Sequence, residues 1–262
     1  MACSSWSATK DDTEQSAFLI ATSEGHRELL ELTLAAGADV RSLDSYRGTG
    51  VIRAAERGHA DVVGRLLAAG VDPVDRGAGS AQADRRLLGA AERGDADVET
   101  RNDRQQTPLL VAATADKVDV ARLLVHLGAD PDALDDRHDT PWLVTGVTGS
   151  VAMLAVLLPA DPDLTIKNRF GGLSPIPAAE RGHVAYIKRV IRTDVDLDHV
   201  NDLGWTALLE AVVLGDGSKP YQEIVQTLVD AGVDTSITDK QGRTALDLAR
   251  SSGQREIVAI LE

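Results

Sequence analysis

The densest group of side chains that could perform chemistry is the run Asp-Asp-Arg-His-Asp at residues 135–139. Carboxylates and a histidine are ligand types that bind divalent cations. A metal site also needs ligands that converge from other parts of the fold, and no second set accompanies this run. We therefore interpret residues 135–139 as a solvated loop tip, and we predict neither a metal nor a cofactor.

Other signals of catalysis are incomplete. Cys3 is the single cysteine, the run Gly-Ser-Lys at residues 217–219 lacks the rest of a phosphate-binding loop, and no Gly-x-Ser-x-Gly elbow occurs. His26, His59 and His183 recur at one position of a repeated pattern. Such recurrence favours a structural role in a turn over catalysis. We predict no catalytic residue and do not expect an enzyme.

The elements that position these residues repeat about every 33 residues, a spacing measured between Thr107 and Thr140. A period in this range is typical of stacked supersecondary units. The same register is found at Ser16, Thr49, Arg85, Thr107, Thr140, Leu173, Thr206 and Thr244. Nine residues later each copy has a helix breaker, namely Gly25, Gly58, Gly94, Asp116, Gly149, Gly182, Gly215 and Gly253.

Each copy predicts two short helices followed by a projecting loop or hairpin. In the fourth copy Thr107 can cap the first helix, and Pro108 fits a first turn whose N–H has no partner. Residues 118–124 place apolar side chains on one face of a second helix, which Gly128 ends. One such unit cannot bury its apolar face alone, so stability is expected to come from neighbouring copies.

These copies resemble ankyrin repeats. The carrying motifs are T-P-L-L-V-A-A, T-P-W-L-V-T-G, W-T-A-L-L-E-A and R-T-A-L-D-L-A, followed by G-x-x-x-(I/V)-V-x-x-L-(L/V) and G-(A/V)-D, over residues 16–72 and 85–262. The His of the family's T-P-L-H box is absent. The resemblance implies an all-α solenoid of helix-turn-helix repeats with short projecting hairpins. It also implies a non-enzymatic scaffold that binds another protein.

The predicted organisation contains about seven full or near-full repeats and one truncated repeat. The segments are a flexible N-terminal tail (1–15), two repeats (16–72), a Gly/Ala-rich linker (73–84), a truncated third copy (85–101) and a C-terminal block with a capping last repeat (102–262). The truncated copy leaves a gap that exposes apolar helix sides. Four interpretations of the gap stay open. The array bends at this point, residues 73–84 fold over the gap, another chain fills it, or it is the result of a deletion.

Three smaller expectations concern individual copies. Pro177 is expected to shorten or distort the first helix of the sixth copy because it lacks an amide donor. A five-residue insertion is predicted between the helices of the seventh copy. Trp142 takes a core position and is interpreted as structural, and the polar residues of the last copy are expected to face water: Ser251, Gln254, Arg255 and Glu256.

The predicted binding surface is the concave face formed by the hairpins and the inner ends of the first helices. Three residues before the Thr position lie Tyr46, Arg104, Arg137, Phe170, Leu203 and Gln241, and one residue before it lie Gln106, Asp139, Trp205 and Arg243. The hairpin residue His138 and the helix-end residues Val147, Glu180, Arg181, Val213 and Leu214 complete the set. Arg and aromatic residues are enriched at interface hot spots.

Composition and charge restrict the partner. The formal net charge of −14 argues against nucleic acid and anionic membranes, which need clustered cations, and favours a basic surface on a protein partner. No apolar stretch near Met1 and no run of 18 apolar residues occurs, so a cytoplasmic location is expected by default. Arg outnumbers Lys, which indicates a bacterial source.

Two alternatives to a protein scaffold stay open at this point. A groove on the same face could accept a small molecule and assist a reaction, with Asp139, His138, Glu180 and Trp205 as its lining. An engineered scaffold is the other, although the uneven repeat spacings argue against it. The identity of the partner, the pathway and the oligomeric state do not follow from the sequence.

Overall fold

The computed structural model describes residues 16–71 and 98–262, and these residues form paired short helices. The helices are α1 (Ala17–Glu24), α2 (Arg27–Ala35), α3 (Gly50–Arg57), α4 (Ala60–Val71), α5 (Pro108–Thr114), α6 (Val118–His126), α7 (Pro141–Thr148), α8 (Val151–Leu157), α9 (Pro175–Glu180), α10 (Val184–Val190), α11 (Ala207–Val213), α12 (Lys219–Asp230), α13 (Ala245–Ser251) and α14 (Arg255–Leu261). A 3-10 turn covers Leu158–Ala160. Within the described ranges extended pairing is limited to isolated bridges, so the all-α prediction is confirmed.

The chain divides into two compact units. The first consists of Met1–Asp136 and Val156–Ala160, and the second of Arg137–Ala155 and Asp161–Glu262. The predicted tail (1–15), the linker (73–84) and most of the truncated copy (85–101) lie outside the described residues.

The first helix of most copies begins where the sequence predicts. Thr49, Thr107, Thr140, Thr206 and Thr244 each adopt an extended conformation, and each hydroxyl accepts the N–H of the residue three positions later. These caps satisfy amides that the helix itself leaves without a partner. The helices then stop at left-handed residues such as Gly58 and Asp116, as the repeated breaker position predicts.

In the first unit the second and fourth copies are direct neighbours. α3 packs against α5 and α4 packs against α6. The left-handed turn at Gly58 faces the side chain of Lys117, as the turn at Gly25 faces His59 one copy earlier. The apolar sides that we expected next to the truncated copy are therefore covered, because α4 and α6 bury them against each other.

In the second unit α9 packs between α7 and α11, and α11 also contacts α13. Trp142 is fully buried, which confirms its structural interpretation. The hydroxyl of Tyr186 donates a hydrogen bond of 2.7 Å to Thr145, whose own hydroxyl donates to the carbonyl of Trp142. A Cβ atom at Gly146 would lie 2.0 Å from the carbonyl oxygen of Ser174, so the close approach of α7 to this segment requires glycine.

The irregular copies follow their sequences with two differences. α9 has only 6 residues and contains Pro177, which confirms the predicted shortening. In the seventh copy the insertion lengthens both the loop before Lys219 and helix α12, which has 12 residues. The prediction that Gln254 faces water is wrong in part: its amide donates to the carbonyls of Val212 and Gly215 in the preceding copy.

Candidate functional site

Each projecting hairpin is built around an Asp or Asn five residues before the capping position. The side-chain oxygen of Asn102 accepts the N–H groups of Arg104 and Gln106 at 3.0 Å each. The same pair of bonds is made by Asp44, Asn168, Asn201 and Asp239. Because short polar side chains hold tight turns in this way, the residue three before the capping position is fixed near the hairpin tip.

The hairpin tips carry exposed apolar and basic side chains. Tyr46 is 70% exposed, Phe170 53% and Leu203 51%. Arg104, Arg137 and Gln241 occupy the same position and are also exposed. Large apolar side chains at aligned, exposed positions are a feature of interaction surfaces.

In the first unit, a cleft of about 440 Å³ lies between the hairpins and inner helices of the second and fourth copies. Tyr46, Arg53, Arg104 and Gln106 are among the side chains that line it. The hairpins of the fourth and fifth copies are joined by a backbone hydrogen bond, in which the N–H of Asp136 donates to the carbonyl of Arg104. In the part of the chain that is described, no backbone hydrogen bond joins the second hairpin to the fourth. Arg47 and Asp103 form an ion pair of 3.4 Å there instead.

The charges inside this cleft compensate one another. The guanidinium of Arg53 donates from Nε to Asp44 and from a terminal nitrogen to Glu56 at 2.9 Å. It also lies over the ring of Tyr46, 5.4 Å from the ring centre. Asp44 is buried, so its ion pair with Arg53 loses little to solvent screening. The cleft is therefore polar, and the cation of Arg53 is compensated by carboxylates of its own repeat.

In the second unit, adjacent hairpins present a more apolar surface. The N–H of Asp202 donates to the carbonyl of Phe170 at 3.0 Å and so joins the sixth and seventh hairpins. The guanidinium of Arg169 lies 4.6 Å from the ring centre of Phe170. Trp205 and Val213 are half-buried, and Leu214 at the end of α11 is 48% exposed.

A buried acid lies between this hairpin and its inner helix. Glu210 of α11 is 4% exposed, and its carboxyl accepts a hydrogen bond of 2.9 Å from the amide of Asn201. Burial raises the pKa of Glu210 to about 7, the hydrogen bond from Asn201 opposes that change, and the neighbouring carboxyl of Glu180 reinforces it. The described structure gives Glu210 no ion pair.

Comparison with known proteins identifies the family to which this architecture belongs. Family models for ankyrin repeats match residues 176–262, as three copies, and residues 104–136. The ankyrin repeat protein YahD of Escherichia coli K12 is 36% identical over 166 residues, which cover 63% of this chain and 83% of YahD. The chain belongs to the ankyrin repeat family.

Solved ankyrin repeat structures agree with that assignment. An ankyrin repeat domain from Acinetobacter baumannii AYE is 40% identical, with a TM-score of 0.62 over 68% of this chain and 96% of that domain. The ankyrin repeat protein EF0377 is 37% identical, with a TM-score of 0.64 over 70% of this chain and 91% of that protein. Ankyrin repeats are generally non-catalytic modules that bind other proteins.

The ankyrin hairpins and inner helices bring together only some of the predicted binding residues. Tyr46, Arg104 and Gln106 share the cleft of the first unit. Arg243 is held by Asp239 of its own hairpin at 2.7 Å and also bonds Gln241, and Asp139 lies 3.9 Å from Arg169. The remaining predicted residues of the second unit are exposed or half-buried: Arg137, His138, Val147, Glu180, Arg181, Leu203 and Leu214.

The histidines shared by the repeats join neighbouring copies. The ring N–H of His59 donates to the carbonyl of Ser23, and that of His183 donates to the carbonyl of Val147, both at 3.1 Å. The predicted structural role of these two residues is confirmed. Gln254 makes the corresponding contacts in the last ankyrin repeat. Throughout residues 16–71 and 98–262, no group of three His, Cys, Asp or Glu side chains could hold a metal ion.

Sequence reasoning missed Arg53 and Glu210. Both lie four residues after the capping position, where the other described copies have Ile20, Val111, Val144, Pro177 and Leu248. A charged residue at a position that is otherwise apolar was the available signal. The same part of the chain contains no helix with the length and apolarity needed to cross a membrane.

Proposed function

We propose that this protein is a scaffold or adaptor that binds another protein through the hairpin tips and inner helix ends of its ankyrin repeats. The observation that carries the proposal is the exposure of the hairpin tips in both units, where Tyr46, Phe170 and Leu203 are each more than half exposed. Arg104 and Arg137 add the cationic residue type that is common at hot spots. An apolar centre with a polar rim is typical of a binding patch.

Rigidity of the hairpins supports recognition by a preformed surface. Asn102, Asn168 and Asn201 each hold two backbone N–H groups of their own hairpin. A partner that binds such hairpins does not have to order them, so less of the interaction free energy is lost on association.

The charge of the chain favours a protein partner with a basic surface. The formal net charge of −14 attracts cationic surfaces over long range and raises their rate of encounter. It disfavours nucleic acid and anionic lipid, whose binding depends on clustered Lys and Arg. The cytoplasmic location and the bacterial source stay predictions.

The proposal is tested with two surface variants, one in each unit. One carries Tyr46→Ser and Arg104→Ala, and the other carries Phe170→Ser and Leu203→Ser. The matched control is Leu32→Ser, because Leu32 is 69% exposed but lies on the second helix of its copy. Each protein is immobilised and used to purify partners from a lysate of the source cell, after circular dichroism has confirmed equal folding.

We expect a protein that the intact chain and the Leu32 variant retain and that at least one hairpin variant loses. Full retention by both hairpin variants would contradict the assigned surface. Failure of the intact chain to retain any protein would contradict the scaffold function itself.

A small-molecule function has one observation in its favour, the cleft of the first unit. Its volume of about 440 Å³ lies in the range of small-ligand sites. Its lining differs from the one predicted for that alternative, because Asp139, His138, Glu180 and Trp205 all belong to the second unit. A small ligand would raise the melting temperature of the intact protein and not that of an Arg104→Ala, Gln106→Ala variant.

A further inference from the structure

The second and seventh repeats place polar residues at the same two positions but combine them differently. In the second repeat, Asp44 at the hairpin base pairs with Arg53 on the inner helix. In the seventh, Asn201 occupies the hairpin base and Glu210 the inner helix, joined by a hydrogen bond of 2.9 Å. The second repeat therefore contains its own counter-ion, whereas the seventh combines a neutral amide with an acid.

Among the described residues, no cation forms an ion pair with Glu210. In the described ranges neither Glu210 nor the neighbouring Glu180 takes part in an ion pair. A carboxylate that is 4% exposed is costly to ionise without a positive partner. A cation supplied from outside the chain would remove that cost. Pairing with a cation is therefore expected to stabilise the buried carboxylate of Glu210 more than it would stabilise an exposed one.

Apolar, partly exposed residues lie close to Glu210 in the fold, because the N–H of Leu203 binds the Asn201 side chain and the N–H of Leu214 binds the carbonyl of Glu210. Trp205 precedes the inner helix and is half-buried, while Leu203 at the hairpin tip and Leu214 at the helix end are about half exposed, at 51% and 48%. Glu180 is half-buried, so an incoming cation would meet Glu180 at the surface and lose water as it approaches Glu210. Interactions between charges strengthen as water is excluded.

We propose that Glu210 and Glu180 receive one lysine or arginine side chain of the partner protein, and that apolar residues beside it pack on Leu203 and Leu214. This inference rests on the proposed protein-binding function and specifies its anchor. A second copy of this chain is a poor occupant, since two chains with a formal net charge of −14 each repel one another. The long stems of Lys and Arg suit a site with apolar walls and charged groups at depth.

The first experiment selects ligands from a random dodecapeptide library displayed on phage. The targets are the intact protein, Glu210→Gln and the control Glu223→Gln. Glu223 belongs to the same repeat but lies on its second helix, α12, where its exposed carboxylate pairs with Lys188 at 2.9 Å. We expect the intact protein and the control to enrich peptides that share a Lys or Arg between apolar residues, and Glu210→Gln to lose that requirement.

The second experiment measures the affinity of one selected peptide by calorimetry. Replacing its key Lys by norleucine, or its key Arg by citrulline, should weaken binding to the intact protein about 30-fold or more, since an unpaired buried charge is left behind. The same replacement should change the affinity for Glu210→Gln by less than about threefold, because the paired carboxylate is already absent. A purely structural role of Glu210 would not couple the two changes.

The outcomes separate this inference from the proposed function. Selected peptides that bind the intact protein without a cation, or that bind Glu210→Gln equally well, would overturn the anchor and leave the scaffold function intact. A library in which no peptide is enriched on the intact protein would count against both.

Discussion

The second and seventh ankyrin repeats differ in where the compensation for a buried charge comes from. In the second, Arg53 and Asp44 neutralise each other inside one repeat. In the seventh, Asn201 solvates Glu210 only in part, and the pKa of that carboxyl is about 7. A buried charge at one repeat position can therefore be compensated within the fold, or left uncompensated at a cost in stability that an external cation can remove.

The largest expected effect comes from breaking the pair in the second repeat. Arg53→Met removes the cation and leaves Asp44, whose side chain is 6% exposed, as an uncompensated buried charge. We expect a loss of about 3 kcal/mol in the free energy of unfolding, measured by urea denaturation at neutral pH. The control is Arg57→Met on the same helix, whose ion pair with Glu24 is exposed; it should cost no more than about 0.5 kcal/mol. An equal loss of stability in the two variants would show that the ion pair of Arg53 with Asp44 stabilises the fold no more than an exposed ion pair does.

A second prediction concerns the pH dependence of stability caused by Glu210. Its pKa in the folded protein is about 7, above the ordinary value of 4.5 that applies after unfolding. Between these two values only the folded state holds the proton, so the free energy of unfolding falls as pH rises through this window. We expect a loss of about 2 kcal/mol between about pH 5 and pH 8 from this group.

Urea denaturation of the intact protein and of Glu210→Gln at both pH values isolates that contribution. The variant lacks the titrating carboxyl but keeps an acceptor for Asn201, so it should lose less stability than the intact protein over the same interval. Parallel pH profiles for the two proteins would refute the raised pKa. A basic peptide that binds at Glu210 should also reduce the difference in pH dependence between the intact protein and Glu210→Gln.

The third prediction transfers the pair of the second repeat into the seventh. Glu210→Arg alone places an unpaired cation at a buried position, while Asn201→Asp supplies the missing carboxylate. We expect the free energy of unfolding of the double variant to be about 1 kcal/mol higher than the value obtained by adding the effects of the two single substitutions. Chemical denaturation of the four proteins of this cycle gives the coupling energy, and a value near zero would mean that the two repeats hold these positions in different geometries.

Much of the fold could be predicted from the sequence because its signals are local. The capping Thr at residues 107 and 140, the helix breakers and the 33-residue period each specify structure over a few residues. The direct packing of α3 on α5 could not be predicted in this way. It depends on which apolar faces meet across residues that are distant in sequence, and local patterns do not encode that choice.

The site was less accessible to sequence reasoning than the fold. Exposed tip residues such as Tyr46 and Phe170 follow from the repeat register alone. Glu210 was hidden among 41 acidic residues, and its burial and its bond to Asn201 became evident only when the hairpin was placed over the helix. The position four after the capping residue would have singled it out, because the other described copies have apolar residues there, with Arg53 as the one further exception.

The contact between the second and fourth repeats also has consequences for how the chain folds. His59 follows the glycine that it faces, Gly25, by 34 residues, whereas Lys117 follows its own, Gly58, by 59. Formation of an interface becomes slower as the sequence separation of its partners grows, since more chain entropy is lost before the contacts form. Folding that spreads from one repeat to the next should therefore be slowed at this junction, by about twofold. The slower step is expected inside the first unit, between two repeats that are immediate neighbours in space.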